Sequence, residues 1–285
     1  MLNKKIFIRI ACFVFVFVSS ILAFVPSAFA WPWSKSAQAN DVYNETENAR
    51  INWTEGYVEA VGQAVAPKGQ ERTPQGKLLA KRGAIVDLQR NLLEFLLGVH
   101  VDATSVLDDF MANDMVKTQV NGVVKNVVVE KADWKDGIFT VVGKVKLPEI
   151  RIVLLPIIEK KSAPVAKKQS QKQTYNYTGL VVDARHLPLV PSMSFRIVNE
   201  KGEEVYGVAK ASEQAFLSSG LCEYHSNMEW AKGREKVASN PLIVKATRLL
   251  SPSNVDIVIS SEDAQKILSN KVDYLNKCQV LVVKQ

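Results

Sequence analysis

The sequence predicts an α+β fold: two small domains, each a mainly antiparallel sheet with a covering helix, joined by a basic linker. Three observations predict it. A long helical pattern follows Thr73-Pro74. Val- and Ile-rich runs joined by short turns containing Gly flank it and recur downstream. A stretch of Lys, Gln, Ser, Ala and Pro at 159–174 separates the two groups.

The chain opens with Lys4, Lys5 and Arg9 and then carries no charge from Ile10 to Val25. Ala28 and Ala30 supply small residues for a cut between Ala30 and Trp31. A basic start, an apolar run and this site make residues 1–30 a signal peptide, so the mature protein is expected in the periplasm. The apolar run is about 16 residues, short of the roughly 20 that span a bilayer. No Cys follows the cut, and Cys12 lies inside the apolar run, so no lipid is expected at the junction. Residues 31–50 are polar and aperiodic, a flexible lead-in.

The first domain is expected over 51–150. Asn52–Ala66 holds Trp53, Tyr57, Val58, Val61 and Val65 among small residues, a first strand. Pro67–Thr73 is a loop. Thr73 offers a hydroxyl cap and Pro74 fits the first helical position. Leu78, Ile85, Leu88, Leu92, Phe95 and Leu96 then recur at steps that place one stripe on a buried face, and Gly98 ends the helix. Val123–Lys131 and Ile138–Leu147, joined by a loop ending in Asp136-Gly137, form a β-hairpin.

After the linker, a second α+β domain is expected over 175–285. Tyr177–Ala184 is a strand. His186–Pro191 is a proline-bounded loop. Ser194–Asn199 and Glu203–Tyr206 make a second hairpin about Gly202. Ala211–Ala238 shows no sustained period. Leu242–Leu249 and Val255–Ile259 are strands. Ser260 or Ser261 caps a helix over Glu262–Leu275, and Cys278–Val283 is a last strand.

The formal charge of +7 is not a nucleic-acid signature. Lys4, Lys5 and Arg9 leave with the signal. Five lysines of the linker, Lys160, Lys161, Lys167, Lys168 and Lys172, face only Glu159 there. What remains is near neutral, without the clustered basic face of a nucleic-acid reader. The linker, with Trp31 and Trp33, allows at most weak contact with a membrane surface.

Little in the sequence carries chemistry. The mature chain keeps Cys222 and Cys278, disulfide candidates in an oxidising compartment. Cys222 and His225, three apart, resemble half a metal site, but only Cys278 could join them, so neither a metal nor a cofactor is expected. Adjacent acids at Asp108-Asp109, Glu203-Glu204 and Glu262-Asp263 suit caps and turns. Trp53, Trp134 and Trp230 suit packing. No phosphate loop, nucleophile elbow or zinc-protease motif occurs. The alternative to a binding protein is an enzyme or small-ligand binder whose site gathers Asp183, Arg185, Cys222 and His225 in the second domain.

Two stretches carry a resemblance. The helix AKRGAIVDLQRNLLEFLLGVHVD (Ala80–Asp102) followed by VNGVVKNVVVEKADWKDGIFTVVGKVKL (Val120–Leu147) resembles the LPP-twenty lipoprotein family. The same unit is similar to the N-terminal domain of the flagellar assembly protein T family. The pattern covers roughly 50–150: a helix bearing Ala and Arg and ending in Leu-Gly, a short insert, a Val-rich strand, an Asp-Gly turn and a returning strand. The segment TGLVVDARHLPLVPSMSFRIVNEKGEEVYG resembles the second domain that accompanies this unit in bacterial envelope proteins. The resemblance implies a non-catalytic envelope protein acting by protein contacts with envelope or flagellar basal-body proteins. It brings no catalytic residue to transfer. One departure stands out: Trp31 occupies the junction where the lipoproteins have a lipid-modified cysteine.

Overall fold

Thr73 begins the longest helix as its residue type requires. The Thr73 side chain accepts from the Gly76 amide at 2.9 Å, and Pro74 takes the first helical position. The computed structural model describes residues 40–161, 175–237 and 239–285. The expected signal peptide, the cut between Ala30 and Trp31, and most of the expected linker lie outside the described residues. No helix among those described is long and apolar enough to cross a membrane.

The first half runs β1 (Tyr43–Glu45), β2 (Ala49–Asn52), β3 (Tyr57–Val65), α1 (Pro74–Leu97), α2 (Asp114–Lys125), β4 (Val128–Lys135), β5 (Ile138–Lys146) and α3 (Leu147–Lys161). Its five strands form an antiparallel sheet in the order β1-β2-β3-β5-β4. The β4–β5 hairpin turns through Asp136 and Gly137, both at positive φ (51° and 79°), which suits Asp-Gly. α1 lies across β3 and β5 at close range. A Cβ at Gly62 would collide with the Ala84 carbonyl and Leu88, and one at Gly143 would sit 2.6 Å from Leu88 Cδ2.

That close approach decides which side of α1 is buried. The sheet meets Ala80, Ala84, Leu88, Asn91, Leu92 and Leu96. Leu78, expected in the buried stripe, is instead 62% exposed. Small residues, not the largest apolar ones, mark the contact, because the helix axis comes so near the strands.

The second half runs β6 (Gly179–Asp183), β7 (Ile197–Asn199), β8 (Glu204–Tyr206), α4 (Glu213–Ser219), β9 (Glu223–His225), α5 (Met228–Lys232), β10 (Pro241–Leu249), β11 (Ile257–Ile259), α6 (Ser261–Leu268) and β12 (Val280–Val283). Seven strands form one sheet in the order β8-β7-β11-β10-β6-β12-β9. The fold class is α+β. This second sheet is mixed, however, where a mainly antiparallel one was expected. β6 pairs in parallel with β10 and β12, β12 with β9, and β11 with β7. The apolar runs of β6 and β12 are buried on both faces, as central parallel strands require. Ser260 caps α6 through the Asp263 amide at 3.0 Å, but the helix stops at Leu268, before the expected Leu275.

Three further differences concern elements that bear on the site. Residues 43–45 form a strand within the expected lead-in and 49–52 form one that begins in it, because Val42, Ala49 and Ile51 are core residues. α2 takes Val123–Lys125 from the expected strand. α3 occupies a Pro- and Ile-rich segment that had no assignment. Pro148 stands in its first turn, where no amide partner is lost, and α3 also accommodates Pro156.

The described residues belong to one compact unit with a core continuous from sheet to sheet. Several contacts join the halves. Asp41 bridges to His225 of β9, and the Ser226 amide donates to the Asn40 carbonyl at 3.0 Å. The amides of Met193 and Ser194 donate to the carbonyls of His100 and Val101 at 3.0 and 2.8 Å. α3 packs against α4.

A candidate ligand cleft between the two sheets

Where the halves meet, they leave a cleft of about 570 Å³. One wall comes from the first sheet. Trp53 and Tyr57 stand at the β2–β3 turn, and Lys144 and Lys146 at the end of β5, two apart and so on one face. The Lys144 ammonium lies 4.0 Å from the centre of the Tyr57 ring and 3.2 Å from Glu130. Trp53 packs edge-on against Tyr224 of β9, with ring centres 5.9 Å apart.

The opposite wall is Ser218 and Ser219 at the end of α4, with Glu223 and Arg234. Glu223 meets three basic groups at 3.4–3.5 Å: the His225 ring, Arg234 and Lys236. Burial acts to raise the Glu223 carboxyl. The hydrogen bond from His225 and the charges of Lys236 and Arg234 outweigh it, so the carboxyl lies below its ordinary range.

Arg151 of α3 forms the floor. It is 7% exposed and donates from Nη1 to the Leu217 carbonyl of α4 at 3.3 Å. Its Nε has no hydrogen-bond partner among the described residues. Burial pushes the guanidinium down to about 10, which leaves it charged at neutral pH. Gly220 lies against it at φ +69°, and a Cβ there would stand 2.8 Å from Nη2. The backbone therefore favours glycine here, and a side chain would displace the guanidinium. Arg151 also borders a small void of about 10 Å³ beside Cys222 and Tyr224, the size of one water.

Residues 179–285 match the family model for the second domain of Tp0624 of Treponema pallidum. The match begins at β6 and takes in the whole second sheet, well under half of the chain. No curated protein matches the chain. The stretches that resemble the LPP-twenty family lie in the first half, outside the matched residues.

The site residues expected from sequence do not converge. Asp183 and Arg185 pair with each other at 2.8 and 2.9 Å on the rim of a separate surface hollow, and the Arg185 hydrogen bond holds the Asp183 carboxyl below its ordinary range. Cys222 and Tyr224 face the core between the halves. His225 points to the other side of the sheet, where its ring meets Trp230 at 5.2 Å. Alternation along β9 therefore separates Cys222 from His225, and no group of three metal-ligating side chains occurs among the described residues. Cys222 and Cys278 are both buried free thiols. Burial pushes Cys222 up to about 12. The paired acids serve turns and caps: Asp109 accepts from the Val106 amide at 2.8 Å, and Glu203 from Asn199 at 2.6 Å.

Sequence reasoning missed Arg151. One signal was available: it is the lone charge in the run IRIVLLPII (Ile150–Ile158). A basic residue inside an apolar helical segment is costly to bury unless its charge finds a partner.

Proposed function

We propose that this is a non-catalytic protein of the bacterial envelope, exported to the periplasm and acting through protein–protein contacts, with flagellar or outer-membrane assembly as its setting. The observation that carries the reading is the outer face of α1. Leu79 and Val86, seven apart and so nearly in line on a helix, are 41% and 64% exposed, and Leu78 stands beside them. Single exposed apolar residues are ordinary, but several on one arc of one helix are the material of a docking surface. The signal-peptide pattern and the LPP-twenty resemblance support the address and the partner class.

A second reading, a small-ligand binder, draws on the cleft at Arg151 and not on Asp183, Arg185, Cys222 and His225, which are dispersed. Affinity isolation from the periplasm together with motility of a deletion strain tests the main reading. Co-isolation of a basal-body or outer-membrane protein, with a motility or envelope defect, is the expected result. Full motility with an intact envelope removes it.

A further inference from the structure

We propose that the cleft between the two sheets binds a carboxylate, held by the Arg151 guanidinium. The inference does not depend on the docking surface of α1, so either can fail alone.

The fold treats its other well-placed arginines differently. Buried Arg50 meets Glu59 at 2.5 Å, and Arg196 meets buried Asp256 at 2.6 Å. Arg151, as buried as Arg50, has no carboxylate partner among the described residues. Among the described residues, its one hydrogen bond is the long one to the Leu217 carbonyl. A guanidinium has five N–H donors, and a buried charge left unpaired is strongly unfavourable. The end of α4 compensates little, since that helix has only seven residues. A water in the adjoining void would not neutralise the charge.

The charges around the cleft say which anion fits. Glu130 is taken by Lys144, and Glu223 by Arg234 and Lys236. Among the described residues that line the cleft, Arg151 and exposed Lys146 are then the uncommitted cations, against Glu55 as the uncommitted acid. The balance at the Arg151 end suits one negative charge, and a phosphate dianion would face three glutamates. A carboxylate also matches the planar fork of a guanidinium. The volume of about 570 Å³ accepts a molecule of small-ligand size, with Trp53 and Tyr57 as apolar walls. The carboxylate can belong to a free small acid or to a peptide C-terminus.

Calorimetric titration of the exported protein tests this with four probes: acetyl-dialanine, its C-terminal amide, acetate and inorganic phosphate. Acetyl-dialanine should bind, and the amide should bind at least about tenfold more weakly. Acetate matching acetyl-dialanine identifies a free small acid as the source. Acetyl-dialanine binding more tightly than acetate identifies a peptide terminus. Lys146→Ala, on an exposed side chain, should weaken acetyl-dialanine several-fold at unchanged thermal stability, whereas Arg151→Lys, if it folds, should remove binding. The proposal is overturned by equal binding of acid and amide, by phosphate binding more tightly than any carboxylate, by no binding at about 10 mM acetyl-dialanine, or by an unaltered affinity in Lys146→Ala.

Discussion

The Thr54 hydroxyl donates to the backbone carbonyl of Tyr224 at 2.5 Å, joining the first sheet to β9 across 170 positions of sequence. The same oxygen accepts from the Val42 amide at 2.9 Å. One buried side chain thus satisfies two backbone groups and forms part of the seam above the cleft. Thr54→Val keeps the shape and leaves both groups without a partner. It should destabilise the protein by about 1–3 kcal/mol, while Thr54→Ser keeps most of the stability. Urea unfolding of the two variants measures this, and equal stability would show that the contact contributes nothing.

Gly62 and Gly143 should be intolerant of even one methyl group, since α1 lies directly on them. Gly62→Ala or Gly143→Ala is expected to cost about 1–3 kcal/mol through overpacking. Gly122, inside α2 with nothing near its missing Cβ, should respond with the opposite sign. Gly122→Ala is expected to stabilise by about 0.5–1 kcal/mol. Chemical denaturation of the three variants in parallel reads both signs.

The thiols provide a third test. A thiol buried and pushed up to about 12 stays protonated at neutral pH and is a poor nucleophile. The native protein produced from Trp31 onward should therefore resist alkylation, and denaturing it without reductant should release two reactive thiols. Mass spectrometry after labelling reads the count, and a denatured count of zero would mean that Cys222 and Cys278 are bridged.

Glu223 sets an acid limit. Its carboxyl is lowered in the folded state, so its contribution is present above the unfolded carboxylate range and is lost as pH falls through the folded value. Melting temperature should drop on acidification below about pH 4.5, and Glu223→Gln should lessen that dependence. Parallel slopes for the two proteins would assign the acid sensitivity elsewhere.

Local chemistry was legible where neighbours in sequence decide the structure. The Thr73 cap, the Asp136-Gly137 turn, the hairpin about Gly202 and the Ser260 cap all follow from residue type. α2 was equally legible, with Val116, Val120 and Val124 four apart behind an Asn113 cap, but its Val-rich end reads as strand. The parallel neighbours of β6 were not legible, because an apolar run names its burial and not its partner. The cleft was hidden for the same reason: Trp53, Lys146, Arg151, Ser219 and Glu223 meet only after both sheets have formed. Pro148 and Pro156 masked α3, and with it Arg151.

Site-specific photocrosslinking in intact cells tests the central claim, contact through the outer face of α1, most directly. A photoreactive side chain at Val86 should capture one discrete envelope protein, and Leu79→Lys should abolish the product. The same probe at exposed Lys201, on the turn between β7 and β8, should capture nothing specific. Indistinguishable products from the two positions, or none from Val86, would contradict the account.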